Sequence, residues 1–283
     1  MKTANEQQMA STQKVKRLLQ KFHAGEETYD ATEDAYLVPC MMAHIGSTDS
    51  ELRDRLIYGG FYKLILGGQL SHKTLIGLAE KSLSDQFLMK GIEQRESDAI
   101  FTRSFTTLLL ALIIQKDNNS DFLPAPMVQQ INDRMLEYLD AEKDVRGFVP
   151  GKGWAHSVAH AADVFEELAK SQKLGSDSHL KQLHALWGKA LISDSVYFHE
   201  EEERLLVPII ELAKNRGAIK EIETLLSKLP ERIAAQKEHL EEENYWFLFA
   251  NCKLFLKSFY IKAADDPELN PLQASIKSSF PHY

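Results

Sequence analysis

The chain has 283 residues, 44% of them hydrophobic, enough to bury a substantial core in one large or two modest domains. Lys and Arg number 33 against 41 Asp and Glu, a net charge of -8, which excludes a broad electrostatic footprint for DNA or RNA. The two cysteines, Cys40 and Cys252, stand far apart and each inside a helical pattern, which excludes a disulfide framework and fits a reducing cytoplasm.

Residues 1–8 are polar with no apolar stretch behind them, unlike a secretory signal. The chain before about Thr12 reads as frayed, and Val15, Leu18, Leu19 and Phe22 mark a first amphipathic helix that ends near Gly25. A second covers 34–45 despite Pro39, and Gly46 followed by Ser47, Thr48 and Asp49 supplies a stop and the next cap.

Helical hairpins follow. The first joins 50–66 to 71–83 across Gly67-Gly68, and the second joins 98–115 to 126–141 across a polar loop at 116–121. The third joins 154–170 to 177–192 after Gly175, and the fourth joins 200–215 to 217–229 past Gly217. Pro230 then breaks the chain before a long aromatic helix over 231–264, with Tyr245, Trp246, Phe247, Phe249, Phe255, Phe259 and Tyr260. The window 245–261 is the most apolar, but Asn251, Lys253 and Lys257 make it a buried or partner-covered helix rather than a membrane span.

No window alternates as a strand does, so the fold class is all-α. Hairpins of about fifty residues stack most economically side by side, as a right-handed α-α superhelix resembling armadillo or HEAT repeats, with an irregular helical bundle as the competing architecture. The domain reading is one helical unit over 1–264, with hairpins over 50–229 and the aromatic helix as a cap or a homo-oligomer surface, and an irregular tail over 265–283.

The chemistry concentrates at 144–163, where a Gly/Pro-rich loop gives way at about Trp154 to a helical run. At about 100° per residue, His156, His160, Asp163 and Glu167 share one face, while Trp154, Val158, Ala161, Phe165 and Leu168 share the opposite one. His156 and His160 at i, i+4, with Asp163 a turn on, have the spacing of a divalent metal site; the same groups also fit a polar pocket or a satisfied polar cluster. In the loop, Gly151, Lys152 and Gly153 with Arg146 could receive a carboxylate or phosphate, or form only a tight turn before the helix. Asp144 and Arg146 flank that loop. Arg103, inside an apolar helix, must reach solvent or be paired, and with Arg53, Asp54 and Arg204 it could share one groove with the imidazoles. The acids at 200–203 read otherwise as a favourable first helical turn.

The block Asp144-x-Arg146-Gly147-Phe148-Val149-x-Gly151-Lys152-Gly153-Trp154-Ala155-His156-x-x-x-His160-x-x-Asp163 resembles the signature of a bacterial family catalogued as domain of unknown function 2785. Arg53-Asp54, Arg103-Ser104-Phe105 and Glu203-Arg204-Leu205 extend the likeness over about 35–215, and it fades beyond about Glu238. The resemblance implies one all-helical unit in a bacterial cytoplasm and no particular activity. The leading functional expectation is a binding module whose polar groove takes a polar or anionic small molecule or peptide, with no nucleic acid and no membrane as partner. The alternatives are a metal-dependent hydrolase, with Asp163 or Glu167 as base, and a purely structural interaction protein.

Overall fold

A computed structural model describes residues 4–26 and 34–280, with side chains from residue 12 in the first stretch and from residue 36 in the second. Expectations on residues 1–3 and on 281–283, Pro281 among them, lie outside the described residues. The chain runs through α1 (Ala4–Ala24), α2 (Asp34–Ala43), a π-helical stretch (Glu51–Tyr58) continuing directly into α3 (Gly59–Leu66), α4 (His72–Ser82), α5 (Ala99–Ser120) and α6 (Ala125–Ala141). After a hairpin of β1 (Phe148–Val149) and β2 (Gly153–Trp154) come α7 (Ser157–Lys170), α8 (Ser176–Ala190), α9 (Glu201–Asn215), α10 (Ile219–Gln236), α11 (Glu242–Asp265), a short 3₁₀ turn (Pro267–Leu269) and α12 (Asn270–Ser278).

The fold is all-α, and the first helix of each sequence hairpin lies on the inside. Helices α3, α5, α7, α9 and α11 pack in that order as one row, while α4, α6, α8 and α10 pack against its flank. The centre of the row is covered on every side. In α7 the run Ser157 to Ala162 is buried without a break, so the helix does not divide into a packing face and a free polar face as the wheel suggests. Helix α5 is buried over nearly its whole length, and its polar edge is satisfied locally: Thr106 and Thr107 donate to the Thr102 and Ser104 carbonyls, each at 2.6 Å. Among the described residues α5 is the one helix long and apolar enough to cross a membrane, and 83% of its most apolar window is buried inside the protein. It is α5, not the 245–261 window, that carries this character.

Several boundaries differ from the sequence reading, each for an identifiable reason. Helix α5 runs through 116–120, where a loop was expected; Asp121, in a left-handed conformation, ends it, and Asp117 accepts from the Phe122 and Leu123 amides beyond. The backbone of α1 is helical from Ala4. Residues 267–278 are helical rather than irregular: Asp266 caps Glu268, Pro271 occupies the first turn of α12, and Leu272 and Ile276 are buried against α10 and α11.

Pro230 does not break the chain; it lies inside α10. Its ring removes the donor that the Leu226 carbonyl would use, and the Ser279 hydroxyl stands in for it at 2.8 Å, sharing its proton with the Ser275 carbonyl at 2.6 Å. Ser279→Ala is therefore expected to cost about 1 kcal/mol in urea unfolding, because a buried carbonyl loses its partner. In a Pro230→Ala background, where the helix supplies its own amide, the same change should cost clearly less; equal costs would disprove this pairing.

Candidate functional site

The site is built where the starts of α7 and α9 meet the 148–154 hairpin. The hairpin pairs Phe148 with Trp154 and Val149 with Gly153, and the ladder continues outward: the Ala155 amide donates to the Gly147 carbonyl at 2.8 Å and the His156 amide to the Arg146 carbonyl at 3.1 Å. Strands two residues long are too short to show alternation, which is why the sequence reads as loop. Helix α7 accordingly begins at Ser157, with Trp154 in β2 and His156 as the residue before the first turn.

His156 has φ +46°, a left-handed conformation, and so does Glu200 (φ +63°) at the start of α9. Glu96 (φ +58°) lies beside them, its amide donating to Asp144 at 3.0 Å. Three of the four non-glycine residues with positive φ among the described residues thus border one region, and such conformations cost energy that packing elsewhere must offset. The π-helical stretch carrying Arg53 and Asp54 packs beside the same region.

The imidazole of His156 stacks on Trp154, with ring centroids 4.3 Å apart and planes 7° from parallel. Its Nδ1 lies 3.5 Å from Oε1 of Glu201, at ion-pair distance but without the alignment of a hydrogen bond. His160 lies behind it at 5.7 Å, edge-on to Phe105. His199 stands edge-on to Trp154 at 5.2 Å, its Nδ1 3.8 Å from the same Glu201 oxygen, while its amide donates to Glu201 Oε2 at 2.9 Å. Sequence reasoning missed His199 and Glu201, which lie more than thirty residues beyond the signature block, at what reads as an ordinary acidic helix start. The one signal available was a histidine placed directly before that run.

Each cation the sequence offered to an anionic ligand is already engaged. Arg53 is fully buried and donates to the carbonyls of Ser47 (2.6 Å), Lys152 (2.9 Å) and Trp154 (3.3 Å); its guanidinium lies over Phe101 and Phe105, and Asp54 sits beside its Nε. It holds the hairpin to the π-helical stretch. Arg146 forms a fork on Asp144, Lys152 meets Asp98, and Arg204 pairs with Asp163. Arg103 lies away from the groove, fully buried in a bidentate pair with Glu142.

Asp163, held by Arg204, does not join the two histidines, and among the described residues no three His, Cys, Asp or Glu side chains are grouped to hold a metal ion. Glu167, the other acid of that face, instead meets Asn118 and Lys170. What the region does offer is a cleft of about 390 Å³ between the 143–148 and 194–201 segments, lined among others by Arg146, Gly147, Phe148, Phe198, His199 and Glu201. Phe148, Trp154 and Phe198 are exposed around it.

The electrostatics set the protonation states. Burial works to raise the Glu201 carboxyl, but the His156 imidazole and the His199 and Glu201 amides outweigh it and hold the group below its ordinary value, as a carboxylate. Burial pushes His160 well below the ordinary imidazole range; His156, Arg204 and Arg53 press the same way, and the Ser104 carbonyl opposes them. A depressed histidine leaves the unfolded chain binding the proton first. Its contribution to stability is therefore whole above about pH 6.5 and lost as the pH falls below it, at up to about 1.4 kcal/mol per pH unit. Urea unfolding at pH 7, 6 and 5 should show this slope reduced in His160→Asn; the slope left over belongs in part to His179, which burial shifts the same way. An unchanged slope would show that His160 is protonated in the folded protein.

The model of a family described as protein of unknown function (DUF2785) matches residues 88–261, more than half of the chain. The matched span includes the whole site from Glu96 to Arg204 and runs through most of α11, past Glu238, where the motif likeness faded; Arg53 and Asp54 fall before it. No curated protein and no solved structure matches the chain.

Proposed function

The chain belongs to the DUF2785 family, and we propose that its site, a cleft walled by aromatic rings over a histidine and carboxylate floor, binds a polar small molecule or the polar end of a peptide. The observation that carries this reading is a cleft whose lining sets Phe148 and Phe198 beside His199 and the Glu201 side chain, with Glu201 Oε1 buried and without a hydrogen-bond partner. Buried polar groups in folded proteins are almost always partnered, so a carboxylate oxygen left without a hydrogen bond at the cleft wall favours a ligand that completes it. The volume falls within the range of small-molecule pockets, and Trp154 and Phe148 offer flat apolar surface beside it. Arg146 and Arg95 at the cleft are paired with Asp144 and Asp194, and Lys143 reaches only the Asp140 carbonyl, so the lining carries both signs of charge and suits a polar ligand over a strongly anionic one.

A library of polar metabolites examined by saturation-transfer NMR tests this. Binders should show transfer with the wild-type protein and lose it in Trp154→Ala and in Glu201→Gln, with both variants folded by circular dichroism. Binders indifferent to both substitutions, or a library without a binder, would count against the reading. The interaction-protein alternative has less support, since α11 is largely covered by α8, α9, α10 and α12, leaving Trp246, Tyr260 and Ile261 exposed.

A further inference from the structure

We infer that the cleft selects a cation: an organic ammonium group held by the Glu201 carboxylate, on an apolar body that lies against Phe148 and Phe198. The inference rests on the binding reading and names the chemical class of that ligand. It follows from the charges along the cleft lining. Arg146 forks onto Asp144 and also donates to the Ser97 carbonyl, so that pair is closed on itself. Arg95 meets Asp194 at 3.0 Å. Lys143 and Glu96 have opposite charges, and both are exposed, where water and salt screen them. Glu201 is what remains.

That side chain is 1% exposed; its Oε2 accepts from the His199 amide, and its Oε1 is buried without a hydrogen-bond partner. The Nδ1 atoms of His156 and His199 stand 3.5 and 3.8 Å from Oε1 and neither bonds to it, and among the described residues no lysine or arginine lies at ion-pair distance. A place in the first turn of α9 eases the negative charge but brings no donor to Oε1. The interactions on Glu201 keep it ionised, and a buried carboxylate without a counter-charge is costly. The charge this cleft lacks is therefore positive.

The rest of the lining suits such a ligand. Phe148 and Phe198, 48% and 81% exposed, offer apolar cover for its body, and aromatic faces attract cations. Ser195 Oγ is a second buried atom of the lining without a partner, and as a hydroxyl oxygen it can accept another ammonium N–H. Gly147 brings the carboxylate to the wall, since a Cβ there would stand 2.7 Å from Glu201 Oε1. A neutral hydroxyl could complete Oε1 but would leave its charge unmatched, and an anion would be repelled by it.

Three probes of nearly one shape test the charge: phenethylamine, a cation at pH 7, the neutral phenethyl alcohol, and the anion phenylacetate. Saturation-transfer titrations with the full chain should give the amine a Kd at least about tenfold below that of the alcohol, with the acid weakest, because a charged donor strengthens the bond to a carboxylate. Glu201→Gln keeps the shape, removes the charge and should erase the difference between amine and alcohol. Phe198→Ala, at an exposed position, should weaken both and so place them in the cleft. Phenylalanylglycinamide and its N-acetyl form separate two sources of the same group: a free dipeptide tighter than phenethylamine assigns it to a peptide N-terminus, a weaker one to a small amine. An amine no tighter than the alcohol overturns the inference, as does a preference that survives Glu201→Gln, an amine indifferent to Phe198→Ala, or an N-acetyl form as tight as the free one. If Glu201→Gln does not fold, the wild-type ratio and Phe198→Ala decide. Should the alcohol or the acid bind best, the cleft remains a binding site and only its preference for a cation fails; if no probe and no metabolite binds, both readings fail.

Discussion

Arg103→Ala is expected to lower the unfolding free energy by about 3–5 kcal/mol, the range for stripping one partner from a buried ion pair. Its guanidinium is fully buried and meets both oxygens of Glu142, at 2.7 and 2.8 Å, and it also donates to the carbonyls of Lys90 and Gly91. Burial disfavours the charge, but the hydrogen bonds and charge of Glu142 outweigh it and hold Arg103 above its ordinary value. Removing the arginine leaves Glu142 charged, enclosed and served only by the Tyr138 hydroxyl and the Asp144 amide. Arg103→Lys keeps the charge and loses the fork, and should fall between the wild type and Arg103→Ala. Urea unfolding at pH 7 reads all three. A loss under about 1 kcal/mol would place this pair with weak surface bridges, for which that is the ordinary range. Because the pair is shielded from solvent, the loss should change little between low and high salt.

The effect reaches the site through a traceable chain. Glu142 accepts from the Asp144 amide, Asp144 holds Arg146, and the Arg146 and Gly147 carbonyls carry the amides of His156 and Ala155. The Asp144 carbonyl also accepts from Ser157 at the first turn of α7. Arg103, expected from sequence to line a groove, instead anchors the loop that shapes it.

How far the sequence could be read follows from the range of each interaction. Helix identities depend on local spacing and on glycine punctuation, so α4, α6, α8, α9 and the helical run formed by the π-helical stretch with α3 begin and end within a residue or two of expectation. Pro230 was misread because the donor that lets α10 continue is Ser279, forty-nine residues away in a segment that reads as tail. Arg103 was legible as a group needing a partner, but not the identity of Glu142, thirty-nine residues on. The signature block and the acids at 200–203 meet in one region, around the 148–154 hairpin. Of the residues singled out, Arg53, Asp54, Trp154, His156, His160, Asp163 and Arg204 gather near the starts of α7 and α9, while Arg103, Asp144, Arg146 and Lys152 turn out to brace it. The wheel misjudged α7 because it assumes one buried face, and a helix at the centre of a row has neighbours on all of them.

Gly147→Ala should abolish function while leaving the protein folded, the second large effect. A Cβ at residue 147 would come within 2.3 Å of His199 Nδ1, 2.7 Å of Glu201 Oε1 and 2.8 Å of His199 Cγ, closer than real Cβ atoms approach anything. The backbone cannot yield easily, since the Gly147 carbonyl is bound to the Ala155 amide. The side chains must move instead, and that drives Glu201 from His156 and closes the floor of the cleft. Such overpacking costs about 1–3 kcal/mol, less than the stability of an ordinary domain. The expected result is a folded protein with a lowered melting temperature and no saturation transfer from ligands that bind the wild type. Gly188→Ala is the matched control: it lies on the exposed side of α8, its added methyl meets nothing within 4 Å, and it should gain roughly 0.5–1 kcal/mol with saturation transfer intact. If Gly147→Ala kept ligand binding, the close approach of this glycine to Glu201 would have no part in recognition, and the floor of the site would have to be sought elsewhere along the cleft.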